Sequence, residues 1–492
     1  MKAPAMRLLL LTIGVLLVSA IGGATASALL ARPASVVQAS VSGAARETVL
    51  SPTAFGADNT GQRPSDGALR AAIAEAVAKG NKAVHLPAGV YRVNGSIVVP
   101  AGIAIIGEGS QGSNEARGTV IKHYSTGDCL IWDGSGPDFG GTGGGLRDVL
   151  IVKADGFQGG TAIRLAARDD AHRAGEMLFS NVLVYGVGTS PGAGGRGGLW
   201  AHGLVVDGTA AHTRGSIGVR SVHLAKVRLA EAMTPNETLV INQATHFFAE
   251  GLQIDAGDAR APQGVTLKGV NDAIFFSSAD VGGSVLIAAN DGANRTTDFH
   301  FTGKIGATFD NRDAQVTGTV SASFDPAGRY VLRNLSGSLA IRSNIDPDFS
   351  LAVTRTHDNV TGDGTAYPIM FDAKDRDRGN NLSGMPVNEF VCFAAGRYLF
   401  VVNVTMARVT SANRRLDLSI DQLGGTTRSY VTTVNPGALQ ADGYVTVEKT
   451  AILDLSAGDR VRAVVTVTGT GRTVGVYGAA SRYSTMTARY LE

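Results

Sequence analysis

The sequence predicts an all-β chain in two parts: a long stack of parallel β coils entered through one short helix, then a β-sandwich. Three observations predict it. Gly supplies 64 of 492 residues and aromatics only 6%, against an average Gly content of about 7%, which suits many tight turns joining short strands. From about Gly118 to Ser350 a loose unit recurs at irregular spacing: a β-rich run, a turn with Gly, Asn or Asp, another run, then a loop of variable length. Beyond Asp346-Pro347-Asp348 the strands become longer and alternate strictly. A coil stack can reach this length because each coil touches only its neighbours.

The N-terminus reads as a targeting segment. Lys2 and Arg7 precede the apolar run Leu8 to Ile21, and Ala24-Thr25-Ala26 and Ala26-Ser27-Ala28 place small residues where a signal peptidase cuts. Residues 1–28 are therefore a secretory signal peptide or, because no charge occurs from Leu8 to Ala31, an uncleaved membrane anchor. Residues 29–50 are small and polar and form a flexible linker. The chain is expected to be secreted or held at the cell surface, meeting a membrane only if this segment is retained.

Thr53 to Gly109 follows. Leu69, Ala72, Ile73, Ala76 and Val77 have helical spacing, and Ser65 or Asp66 is placed to cap the free amides. After Gly80 the pattern turns to strands, through Leu86-Pro87-Ala88-Gly89-Val90-Tyr91 to Gly107. Phe55-Gly56-Ala57, the helix, Leu86 to Tyr91, and Gly102-Ile103 leading to Ile106-Gly107-Glu108-Gly109 together resemble the N-terminal cap and first coil of the pectate lyase superfamily, in its rhamnogalacturonase/epimerase-like branch. Where that family usually carries Asp-Asp-Thr before the helix, this chain has Arg63-Pro64-Ser65-Asp66-Gly67. The resemblance implies a right-handed parallel β-helix over residues 51–350, capped by the helix, and a protein acting on polysaccharides. None of the matched residues is catalytic in the family, so they identify a scaffold and leave the chemistry open.

Within the stack, Leu146 to Ile151, Phe179 to Val184, Leu224 to Leu229, Ala249 to Ile254 and Phe276 to Val281 fit one six-residue frame. The first, fourth and sixth residues point inward; the third (Asp, Asn, Lys, Gly or Ser) bends the backbone. Such coils bury one continuous apolar column. Loops such as Asp133 to Gly145 and Gly186 to Gly198 would wall a groove beside them.

Cleaving a polysaccharide needs two carboxylates flanking the glycosidic oxygen for hydrolysis, or a base and a cationic sink for β-elimination. Glu250 and Asp280 fall at outward positions on adjacent coils, about 4.8 Å apart, with Asp255 close by as a third carboxylate; these are the candidate catalytic residues, and Asp272 is near enough in sequence to join them. Arg228 and Gln253 share the Asp280 column and are candidate substrate-binding residues. Trp132 and Trp200, with Phe139 and Tyr185, are candidate sugar-stacking platforms or simple loop anchors. A second acidic cluster, Asp169-Asp170 with His172 and Glu176, is interleaved with Arg164, Arg168 and Arg173 and reads as a salt-bridged loop.

A net charge of +2 with 17% charged residues offers no electrostatic footprint for nucleic acid. Walker, His-Glu-x-x-His and Gly-x-Ser-x-Gly motifs are missing, so no cofactor and no metal is expected. Cys129 and Cys392, the two cysteines, lie between apolar residues and read as buried, inert thiols.

At the C-terminus, Ala395-Gly396-Arg397-Tyr398-Leu399-Phe400, Leu455-Ser456-Ala457-Gly458-Asp459-Arg460-Val461 and a final strand Ser484 to Leu491 resemble the jelly roll shared by complement globular heads and the tumour necrosis factor group. The resemblance covers 367–492, after a linker at 351–366, and implies a homotrimer. Asp372 to Asp377 reads as a solvated, self-neutralised loop rather than a calcium site. The functional expectation is an extracellular carbohydrate-active protein, a polysaccharide lyase or glycoside hydrolase; the alternative is a non-catalytic trimeric glycan-binding adhesin or matrix protein.

Overall fold

The computed structural model describes residues 50–491 except 110–117, 135–143, 168–173, 187–197, 210–218, 231–236, 256–262, 292, 325–330, 337, 344–347, 379–381, 383–384, 393, 425–426, 440–442 and 457. The N-terminal segment, Phe139, most of both glycine-rich loops and the Asp169-Asp170-His172 cluster lie outside the described residues.

The helix forms at Asp66–Ala78 and buries Leu69, Ala72, Ile73 and Ala76, the stripe its spacing predicts, against Val84, Leu86 and Ile105 of the first coils. Its expected cap does not form. Ser65 Oγ instead donates to the Asp58 carbonyl at 3.0 Å and accepts from the Asp58 amide at 3.2 Å. The Asp66 carboxylate accepts from the amides of Asn94 and Gly95. Both side chains tie neighbouring segments to the start of the helix. The Gly107 of the first-coil motif is required by close approach: a Cβ there would lie 2.3 Å from the Asp148 carbonyl oxygen on the next coil.

Among the described residues, two parallel sheets of 14 and 9 strands run through the stack, with strands paired to their equivalents in the next coil. This is a parallel β-helix. The six-residue frame appears in the backbone: its third residues Asp148, Asn181, Lys226, Gly251 and Ser278 have φ of 56°, 51°, 55°, 61° and 52°. A second column of left-handed residues, Glu176, Ser221, His246 and Ala273, lies five residues before Asn181, Lys226, Gly251 and Ser278, and Asp298 continues it on the next strand. A left-handed conformation is costly for a side-chain-bearing residue, and here it folds one long strand into three facets. Residues one, four and six of every frame, from Leu146, Val149 and Ile151 to Phe276, Ala279 and Val281, are in the main apolar core of the stack; Val120, Leu150, Val152 and Leu183 form a smaller cluster of their own. Phenylalanines 247, 276, 299, 301 and 309 meet along that core at centroid separations from 5.8 to 6.4 Å.

The last coil strand is Leu339–Ser343, and the antiparallel part begins at Asp348–Ala352, which pairs with Thr485–Tyr490 and Ala373–Arg378. Sheets of 7 and 5 strands follow among the described residues, sharing one core that includes Phe349, Phe400, Leu418 and Val465. Two expectations change. The proposed linker at 351–366 contains Asp348–Ala352 in part and all of His357–Thr361, both strands of this unit. The Asp372 to Asp377 segment is mostly strand, because Arg376 pairs with Asp348 at 3.0 Å and Arg482 grips Asp375 at 2.8 Å, fastening it to its neighbours.

Candidate functional site

The twice-bent strands present one facet between the two left-handed columns: Val222 to Ala225, Phe247 to Glu250, Ile274 to Ser277 and Phe299 to Thr302. Alternation sends Val222, Phe247, Ile274 and Phe299 into the core and their neighbours His223, Phe248, Phe275 and His300 outward. Parallel in-register pairing then stacks those four residues directly. The rings form a ladder, with centroids 4.8, 5.2 and 4.8 Å apart and interplanar angles of 19°, 10° and 9°. Partial burial holds the His223 imidazole below its ordinary pKa. At the other end His300 is fixed on both nitrogens, Nε2 at 2.8 Å from Asp298 and Nδ1 at 2.9 Å from the Thr319 hydroxyl.

Around the second bend runs a charged column: Arg228, Gln253, Asp280, Lys304 and Ser323 sit on successive strands in one register. The alignment of Arg228, Gln253 and Asp280 is the one the sequence predicts. Asp255 spends its carboxylate here, accepting from Arg228 Nε at 2.6 Å and from Gln253 Nε2 at 3.0 Å. It positions the Arg228 guanidinium, which is half exposed. Glu250 stands on the other facet, in register with Ala225 and Ser277. Glu250 and Asp280 are thus on adjacent strands in different columns, three residues apart in register and separated by a bend. Asp272, a further carboxylate, accepts a short hydrogen bond from the Thr297 hydroxyl.

Trp132 and Trp200 are not sugar platforms. Both are 0% exposed. Their indole N–H groups donate to the carbonyls of Ile103 and Tyr185 at 3.0 and 3.1 Å, because in this stack a large ring faces inward and must satisfy its polar edge there. The ladder is what sequence reasoning missed, although its signal was present: His223, Phe248, Phe275 and His300 each directly precede an inward residue and recur at the same place in successive coils. Among the described residues no group of three or more His, Cys, Asp or Glu is placed to hold a metal ion. Cys129 and Cys392 are buried, and burial pushes both thiols upward, Cys392 to about 12.

The rhamnogalacturonase A/epimerase, pectate lyase-like family model matches residues 50–140. These first coils are similar to that family. The match supports the pectate lyase-like parallel β-helix superfamily and suggests a carbohydrate-active protein. Among solved structures, the globular domain of a zebrafish complement 1qA protein is 16% identical, covering 30% of this chain and 98% of its own, with a TM-score of 0.21. Murine APRIL at pH 5.0 is 12% identical, covering 30% of this chain and 99% of its own, with a TM-score of 0.23. No curated protein matches the chain.

Proposed function

We propose that this is an extracellular carbohydrate-active protein that binds a polysaccharide lengthwise on the outward face of coils 219–305. One observation carries the reading: the Arg228 guanidinium, aimed by Asp255 and flanked by Gln253, stands in line with Asp280 and Lys304 on an open face. Successive strands about 4.8 Å apart offer a repeating row of donors and acceptors to a linear polymer. A fixed fork of N–H donors suits sugar hydroxyls or carboxylates. The aromatic ladder serves this face as a rigid edge rather than as a platform, since its inner rings cover one another.

The geometry favours binding over two-carboxylate hydrolysis, because Asp255 is engaged and Glu250 and Asp280 occupy different columns. β-Elimination is the second reading, favoured by Asp280 and Lys304, acid and base groups in one column that make no ion pair among the described residues. The test is a panel of neutral and uronate polymers, scored for retention, reducing ends and the ultraviolet absorbance of an unsaturated product. Retention that Arg228→Ala abolishes supports the binding reading; absorbance that Lys304→Ala abolishes moves the assignment to a lyase; no retention by any polymer refutes both.

The antiparallel unit is proposed as a jelly roll that joins three copies of the chain, as its motifs imply. Its larger sheet supports this with exposed apolar side chains: Tyr444 is 62% and Tyr483 49% exposed, bridged by Tyr477 at 4.9 and 5.3 Å, and Ile452, eight residues further along the strand of Tyr444, is 57% exposed. Residues 1–28 would bring the chain out of the cytoplasm, as a cleaved signal or a retained anchor.

A further inference from the structure

Lys153 lies inside the β-helix. It follows Val149 and Ile151 at alternate, inward positions of one strand and is 0% exposed. His123 holds the same position one strand back and is also 0% exposed, while Gly186 on the following strand brings no side chain. Trp200 fills the remaining space, stacked on His123 with centroids 5.4 Å apart at 12°. The Lys153 ammonium stands 4.2 Å from the centre of the Trp200 ring and 3.3 Å from His123 Nδ1.

This arrangement fixes a protonation state. An ammonium only donates, so Nδ1 must accept, and a neutral imidazole then carries its hydrogen on Nε2. Among the described residues that buried Nε2 makes no hydrogen bond of normal geometry. Nearby charges are already engaged: Asp66 by the amides of Asn94 and Gly95, and Asp128 by Arg164 at 2.9 Å and the Thr161 amide at 2.7 Å. The adjacent Cys129 thiol is buried and held neutral. A proton added at His123 Nδ1 would break the bond to Lys153 and set two cations 3.3 Å apart in an apolar core, where unpaired charge is strongly disfavoured.

We propose that the Lys153–His123–Trp200 stack is an acid-sensitive lock on the first coils: protonation of His123 separates it from Lys153 and frees Trp200 and the coil it closes. Burial first, and the Lys153 charge second, hold His123 at about 4, below its ordinary 6.5; burial lowers Lys153 to about 8. With the folded-state value depressed, the unfolded chain takes up the His123 proton more readily. The stability this site contributes is therefore full above pH 6.5 and lost as pH falls toward 4. Lys153 acts in the same direction at higher pH, between about 10.5 and about 8.

The experiment uses the full chain with Trp132→Phe, which leaves Trp200 as the sole indole. Between pH 7 and 4 its emission should shift red and its acrylamide quenching rise several-fold, with a midpoint between 4 and 6.5. His123→Gln, whose amide can still accept from Lys153, should remove that transition, and Lys153→Met should lower its midpoint by about one pH unit. Should Lys153→Met fail to fold at pH 8 by circular dichroism, His123→Gln alone decides. An unchanged midpoint in His123→Gln, or a Trp200 that stays protected at pH 4, overturns the proposal.

Discussion

At the scale of single residues, the candidate site depends on what each side chain already holds. Asp255 looked like a third catalytic carboxylate from its spacing, but with Arg228 Nε at 2.6 Å its work is to aim a cation. Asp255→Asn should therefore weaken glycan retention about tenfold, the order of one charge-assisted hydrogen bond, with the unfolding midpoint little changed because the pair is exposed. Arg228→Ala should weaken it further, and equal retention by Asp255→Asn and the parent would dissociate Asp255 from binding. Lys226 makes the complementary point about backbone. It is exposed at φ 55°, so Lys226→Gly should stabilise the fold by about 0.5 kcal/mol and Lys226→Val should destabilise it by about 1 kcal/mol. Denaturant midpoints ordered Gly, Lys, Val test this; the reverse order would mean that the bend is not locally strained.

At the scale of elements, the facet is set by two bends and one register. A single bend column was legible, because Asp148, Asn181, Lys226, Gly251 and Ser278 recur three residues into each frame. The second column escaped notice: Glu176, Ser221, His246, Ala273 and Asp298 share no residue type. Its bend gives the ladder a facet of its own. In-register stacking of like rings contributes about 0.5–1.5 kcal/mol per pair beyond burial. Phe275, between Phe248 and His300, belongs to two such pairs, and Phe275→Ala should cost about 2–3 kcal/mol by denaturant unfolding, more than the terminal His223→Ala. Equal losses would show that the rings act singly. The motif Gly107 belongs to this scale too: Gly107→Ala would drive a methyl into the Asp148 carbonyl and should cost at least about 2 kcal/mol.

At the scale of the whole molecule, the stack and the sandwich meet through backbone. Asn334 on the penultimate coil bridges to Ala394, and Leu332, Ile341, Ala394 and Tyr490 line the junction. An open solenoid end needs such a cover. Tyr444 and Tyr483, and separately Ile452, remain exposed on the larger sheet and its flanking loop. Ile452→Glu should convert a trimer to monomers by light scattering while leaving circular dichroism unchanged, and a parent chain that is already monomeric would remove the trimer from the proposal.

The sequence by itself determined the coil frame, the cap helix and its buried stripe, and the column that aligns Arg228, Gln253 and Asp280. These follow from periodicity, and in a solenoid local period and long-range register are one property, since each strand pairs with its equivalent in the next coil. Only the tertiary structure decided which way the large and charged side chains serve. It turned Trp132 and Trp200 inward, gave Asp255 to Arg228, split Glu250 from Asp280 across a bend, and set Lys153 beside His123 in the core. Those outcomes depend on which group on a neighbouring coil lies within hydrogen-bond reach, a distance that spacing along one chain does not encode.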